Sequence, residues 1–312
     1  MSLDGERMHF VQSSEALSNN RSNPYNTLIK ACNENSISQN QIQAVYQNHR
    51  ESRNQQQKRH LLSQEFSAFS LDPILVKLLD KDANPGFVDP RNCLVFWARP
   101  PRRVRELVAR IQKRLQAIAP NLWLMPLDDL HLTVLEIAHS KSEDEIVKLI
   151  QTMENKVPDI TDFTYDHRAR LVHPMLCYDA AAIALSFLPA SGESSNLDTD
   201  TYTYHHLRRD IWSECSSTGV EIASRYTVPS SHLTIARFIT QRDFERRDGG
   251  GIDQEKIGTL MGEIEEINAD LQDTYRSDGT GGWHVGEEKG LVCRKGTVWY
   301  GGGESHYEGK GY

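Results

Sequence analysis

The chain has 312 residues, enough for one large domain or two smaller ones, and its 38% hydrophobic content supplies a core. The formal net charge of −8 excludes the general basicity of a protein that coats long nucleic acid and favours a small or short substrate held in a pocket. No apolar run approaches the ~20 residues of a membrane span, and the opening MSLDGERMHFVQSSEALSNN lacks the apolar stretch of a secretory signal. A cytoplasmic or nuclear protein without membrane association is therefore expected. The five cysteines (Cys32, Cys93, Cys177, Cys215, Cys293) are scattered, odd in number and form no C-x-x-C pair. That spacing argues against a disulfide framework or a zinc site and fits a reducing compartment.

Residues 1–65 are polar and rich in Asn and Gln, which predicts partial disorder with one helix between about Gln39 and Phe66. The segment is a candidate arm for a protein partner. Asp72-Pro73 opens a short apolar helix, ILVKLL, and Asn84-Pro85-Gly86 stops it; this helix is expected to pack on the domain that follows. Cys93 to Ala98 reads as a buried strand. Val104, Leu107, Val108, Ile111, Leu115 and Ile118 recur at helical spacing. In the same region Arg99, Arg102, Arg103, Arg105, Arg110, Lys113 and Arg114 crowd together. They form either a basic rim for phosphate or, as the commoner case, the solvated face of that helix. A short strand, Leu122 to Met125, and the turn Pro126-Leu127-Asp128-Asp129 lead into a strand from His131. A helix over about Glu143–Glu154 completes a first lobe.

A second lobe begins near Phe163. The Ala181–Leu188 strand is expected to pair with one near Arg168–Val172, His173-Pro174 lying between them. Ser191–Asp200 reads as a loop and candidate lid. Next come a helix over about Tyr204–Cys215, the strand from His232 and a connection at Arg246–Gly251. An amphipathic helix then carries Ile257, Leu260, Met261, Ile264, Ile267 and Leu271. Strands near Trp283–Glu287 and Leu291–Tyr300 precede a mobile glycine-rich tail, GGGESHYEGKGY. The domain organisation is therefore an N-terminal segment (1–65), a domain at 66–300 with lobes at about 90–158 and 159–300, and a tail at 301–312.

Two tetrapeptides repeat within this pattern: His131-Leu132-Thr133-Val134 and His232-Leu233-Thr234-Ile235. In a strand alternate side chains share a face, so each His and Thr point one way while the two aliphatic residues point into the core. His-Leu-Thr-aliphatic arises by chance at roughly one in a thousand per His. Two strands so equipped would gather two imidazoles and two hydroxyls around one anionic group. That set supplies acid, base and hydrogen-bond donors for phosphoryl chemistry. Nearby Trp97, Trp283, Trp123, Phe238 and above all Tyr226 are candidates for stacking a base. Arg237 lies an odd number of positions past His232; an unbroken strand turns it away from the His face, and it is not nominated. His205-His206 and His173-x-x-x-Cys177 mimic metal ligands without convincing spacing, and no metal or cofactor is expected.

The stretches LWLMPLDDLHLTVLEI and YTVPSSHLTIARF resemble the two signatures of the two-histidine, LigT-like phosphoesterase superfamily, which includes cyclic nucleotide phosphodiesterases and enzymes related to RNA ligases. The run CLVFWARPP resembles its opening strand. The resemblance implies an α+β architecture, a bilobal duplicated α/β fold in which two antiparallel-type sheets face a central cleft. It also implies cleavage of a phosphodiester, a 2′,3′-cyclic phosphate or a short RNA end, with His131, Thr133, His232 and Thr234 as the catalytic quartet. Two further readings remain open: a 3′-end RNA exonuclease, and a nucleotide- or RNA-binding module without turnover.

Overall fold

The computed structural model describes residues 22–34, 41–192, 200–224, 227–247, 249–279 and 281–312. In chain order the elements begin with α1 (Asn26–Glu34), α2 (Gln41–Leu61), α3 (Pro73–Leu79), β1 (Asn92–Ala98), α4 (Arg102–Ile118), β2 (Trp123–Leu124) and β3 (Leu132–Lys141). The middle of the chain forms α5 (Glu143–Met153), α6 (Val157–Asp166), β4 (Arg170–Tyr178), β5 (Ala182–Pro189), α7 (Tyr204–Ser217) and β6 (His232–Arg237). The chain ends with α8 (Gln254–Asp278), β7 (Trp283–His284), β8 (Lys289–Gly296) and β9 (Glu304–Lys310).

The class is α+β. Its strands form one antiparallel sheet in the order β7-β4-β5-β6-β3-β1-β8-β9, with β2 added to β6. The sheet has two portions that meet where β3 and β6 touch, at the single pair Leu132–Leu233. Beyond that pair the strands part, and β6 takes β2 as its neighbour through Trp123–Arg237 and Leu124–Ala236. The portions do not follow chain order, because β8 and β9, from the end of the chain, extend the β1–β3 side.

The N-terminal segment contains more order than its composition suggests. The expected helix is α2, and α1 precedes it. On α2 the buried positions Ile42, Tyr46 and Arg50 fall four apart, one helical stripe. Tyr25, Ile29, Ile42, Tyr46 and Leu61 join the main core. The Tyr46 hydroxyl hydrogen-bonds His205 Nδ1 at 3.0 Å, and His205 Nε2 donates to the Tyr25 carbonyl at 3.0 Å, so α7 anchors both helices. His205 is thus a satisfied core residue. The connection to α3 stacks Phe69 on Phe238, with ring centres 4.0 Å apart.

Two expectations about strands and loops change. His173-Pro174 lies inside β4, where a bulge between Val172 and Met175 absorbs the pair. His173 is left-handed there (φ 51°), and Pro174 has no N–H to leave unpaired. The tail expected to be mobile forms β9, because Gly290 and Gly309 let the β8–β9 hairpin lie against α6. A Cβ at either position would sit 2.4 or 2.1 Å from the Thr161 carbonyl oxygen. The candidate lid falls largely at 193–199, outside the described residues.

Candidate active site

Each motif opens its strand in the same way. Val134 is an extra residue between Thr133, opposite Trp97, and Leu135, opposite Phe96. Ile235 is likewise extra between Thr234, opposite Ala184, and Ala236, opposite Ile183. Both are β-bulges, which bend the strand and re-aim the side chains beyond them. Buried side chains brace both, and the Ile235 carbonyl also accepts from the Met125 backbone N–H at 3.0 Å. Arg208, fully buried, donates from Nε to the Val134 carbonyl at 3.1 Å. The Gln112 amide donates to the Ile235 carbonyl at 2.9 Å and to Met125 at 2.8 Å.

The Leu132–Leu233 pair fixes how the motifs meet. His131 and Thr133 flank Leu132, and His232 and Thr234 flank Leu233, so the four residues border one junction, where His232 acts electrostatically on His131. Leu132 and Leu233 are buried at the junction, whereas all four motif side chains are half-buried. The quartet named from sequence therefore sits on adjacent strands at the seam of the sheet.

Each imidazole is held through Nδ1. His131 Nδ1 donates to the Asp129 carbonyl at 2.8 Å. A carbonyl only accepts, so Nδ1 carries the proton and Nε2 carries the lone pair. The ring lies flat on Trp97, with centres 3.8 Å apart and planes 13° apart. His232 Nδ1 meets the Ser230 hydroxyl at 3.0 Å, a partner that can donate or accept. Between them Ser231 is pinned to Phe187 by its hydroxyl and its carbonyl.

The bulge at Ile235 changes the assignment of Arg237. It reverses the alternation, so Arg237, five residues past His232, returns to the His side. Arg237 acts electrostatically on both His131 and His232. It lies 3.8 Å from Asp72 and 5.6 Å from the Tyr300 ring, and its buried Nε has no hydrogen-bond partner. Asp72 is already engaged: it accepts from the Tyr300 hydroxyl at 2.6 Å and caps α3. Strand alternation alone missed Arg237; only the pairing with β5 exposes the extra residue.

Burial first, then the charges of Arg99, His232 and Arg237, push the His131 imidazole down to about 3, against the opposing pull of the Asp129 carbonyl. Burial, Arg208 and Arg237 push His232 down to about 4. Both rings are neutral at pH 7 in surroundings that carry excess positive charge. An anion there would relieve the repulsion and raise both values.

Of the basic residues that follow β1 in the chain, Arg99 reaches the site, 4.9 Å from the Trp97 ring centre, and Arg294 of β8 joins it there at 5.5 Å. On α4, Arg102 pairs with Glu106, Arg103 with Glu287, Arg105 with Glu288, and Arg114 with Glu263 and Asp270. These are surface ion pairs, not a phosphate rim.

The stacking candidates fare differently from the quartet. Trp97 is at the site but 1% exposed, with His131 on its ring; it supports the imidazole and has no face free for a base. Trp283, also 1% exposed, packs edge-on to Phe187 at the far edge of the sheet. Phe238 is core, and Trp123 lies edge-on to Tyr300. Tyr226 lies outside the described residues. Among the described residues all five cysteines are free thiols, no three His, Cys, Asp or Glu cluster as metal ligands would, and no helix is long and apolar enough to cross a membrane.

No family model matches the chain, and no curated protein does. Among solved structures, a conserved protein of unknown function from Agrobacterium tumefaciens is similar with a TM-score of 0.42 and 9% identity, over 68% of this chain and 83% of that one. Usb1 of Kluyveromyces marxianus, solved with uridine monophosphate, is similar with a TM-score of 0.36 and 10% identity, over 67% of this chain and 95% of that one. At this distance the functional reading rests on the chain's own residues.

Proposed function

We propose that the chain is a metal-independent phosphodiesterase of the two-histidine type, acting on a cyclic phosphate or a short RNA phosphodiester. The observation that carries this reading is the cross-strand quartet of His131, Thr133, His232 and Thr234, set beside Arg237. The bound phosphodiester would sit where the guanidinium charge is in excess. His131 Nε2, with its lone pair, takes the proton of the attacking water. The water oxygen bonds to phosphorus, and the bond to the leaving ribose oxygen breaks. His232, charged once the anion raises its proton affinity, gives that oxygen its proton. Thr133 and Thr234 donate to the non-bridging oxygens, and Arg237 opposes the charge that grows there.

The test is hydrolysis of 2′,3′-cyclic nucleotides and short oligoribonucleotides by the purified chain in EDTA. Turnover that disappears in a His131→Ala/His232→Ala double variant supports the proposal. Full activity in that variant refutes it.

A further inference from the structure

The connection between β8 and β9 touches both halves of the site. Gly301 abuts the Asp129 side chain, beside the carbonyl that fixes His131. Its neighbour Tyr300 reaches Asp72, the carboxylate in ion-pair range of Arg237. The connection is itself braced. Arg294 donates to the Gly301 and Gly302 carbonyls at 3.2 and 3.1 Å. Arg91 lies 4.0 Å from the Trp299 ring centre and is held by Asp89 through hydrogen bonds of 2.8 and 2.7 Å.

The hydrogen positions along this row of contacts follow from the chemistry of its members. Arg91 only donates, so the Tyr300 oxygen accepts from it at 2.9 Å and the phenolic hydrogen is left for Asp72, at 2.6 Å. Burial and the Asp72 charge push the Tyr300 phenol far above its usual range, so it keeps that hydrogen. Asp72 Oδ1 accepts from the Ile74 and Leu75 N–H groups at 3.1 and 3.2 Å, and Oδ2 accepts from Tyr300. Arg237 Nη1 stands 3.8 Å from that same Oδ2, close enough for attraction and too far for a hydrogen bond. Asp179, a second carboxylate in the field of Arg237, is engaged by the Ala181 and Ala182 N–H groups. Arg237 thus has counter-charge to offset its burial, while its buried Nε is without a hydrogen-bond partner. A guanidinium bonded directly to a carboxylate would have to break that charge-assisted pair before it met a phosphate.

We propose that Tyr300 is a positioning residue: its hydroxyl holds the Asp72 carboxylate back from Arg237, which leaves the guanidinium uncommitted for the phosphate. Without the hydroxyl, Oδ2 turns to Arg237, the two close into a direct ion pair, and the substrate anion loses its partner. This rests on the place of Arg237 in the phosphodiesterase reading.

The test uses the full chain. Affinity for uridine 3′-monophosphate is measured by calorimetry at neutral pH, and turnover of 2′,3′-cyclic uridine monophosphate is followed in EDTA. Tyr300→Phe is expected to weaken nucleotide binding about tenfold and to raise KM in step. Asp72→Asn keeps a helix cap of similar quality and removes the negative charge, so by itself it should tighten binding. Combined with Tyr300→Phe, it should bring the affinity back to within about twofold of the unaltered chain, whereas general damage to the connection would leave the double variant as weak as Tyr300→Phe or weaker. Unchanged binding by Tyr300→Phe, or a double variant that is not rescued, overturns the proposal. If Tyr300→Phe fails to melt cooperatively, Asp72→Asn decides by its sign: tighter binding supports the restraint, and weaker or unchanged binding overturns it. Turnover is scored separately. Nucleotide binding that follows these variants without any cleavage defeats the phosphodiesterase reading and leaves the restraint standing, whereas cleavage indifferent to Tyr300→Phe does the reverse.

Discussion

Desolvation and nearby guanidinium groups, acting on two imidazoles, set the pH behaviour of the site. In the unfolded chain each ring titrates near the ordinary 6.5, and in the folded chain near 3 for His131 and 4 for His232. Between these values the unfolded state binds more protons. Stability therefore rises with pH through this window, is complete above about 6.5, and falls as the pH drops toward 4. Thermal melts from pH 4 to 8 should show this slope, and the His131→Ala/His232→Ala variant should reduce it, leaving the part due to His205, which burial also pushes down to about 3. A phosphate ligand reverses the sign of the local field, so uridine 3′-monophosphate should bind with proton uptake near pH 6. Calorimetry in buffers of different ionisation enthalpy measures that uptake. Either single His→Ala change should lower kcat at least about 10²-fold. Arg237→Gln should lower kcat by about 10²-fold or more with a smaller change in KM, because the charge it opposes is largest in the transition state.

At the scale of elements, the two bulges turn a repeated tetrapeptide into a site. Each holds its His and Thr beside the seam, and each is braced by a buried donor from a helix. Gln112→Leu removes the donor shared by the Met125 and Ile235 carbonyls. It should destabilise the fold by about 1–3 kcal/mol, read from denaturant unfolding, and reduce turnover through the displaced Arg237. The β8–β9 hairpin supports the other motif. Gly301 has φ 85°, and a Cβ there would lie 2.2 Å from the Asp129 side chain, next to the carbonyl that fixes the His131 tautomer. Gly301→Ala should therefore destabilise by at least about 1 kcal/mol and lower kcat, whereas the same change at the open Gly258 should not.

Across the whole molecule, the N-terminal helices are part of the core and wall one side of the site. Tyr25, Ile29, Ile42, Tyr46 and Leu61 are buried in the same cluster as both motif strands, and full burial of such side chains is worth about 1.5–3 kcal/mol each. A chain lacking residues 1–61 should lose its cooperative thermal transition, a result that calorimetry would show directly. An arm that served only to recruit a partner would leave that transition in place.

Residue order alone marked the strands that carry His131 and His232, the α4 and α8 stripes and the side-chain pattern that places each His and Thr on one face. These are local consequences of period and composition. It gave no warning of Arg237, because the bulge that reverses the alternation is defined by the partner strand and leaves no mark in the residue pattern of its own strand. It left Trp97 indistinguishable from a base-stacking platform, since burial on the His131 ring is a tertiary fact. It read residues 1–65 by their polarity, although the few apolar positions on α2 fall four apart and suffice to dock the helix. That the two motifs are neighbours at one Leu–Leu pair, and that Arg50 of α2 and His232 line one small cavity, are facts of the tertiary fold. Both depend on contacts between residues a hundred or more positions apart, which no window along the chain contains.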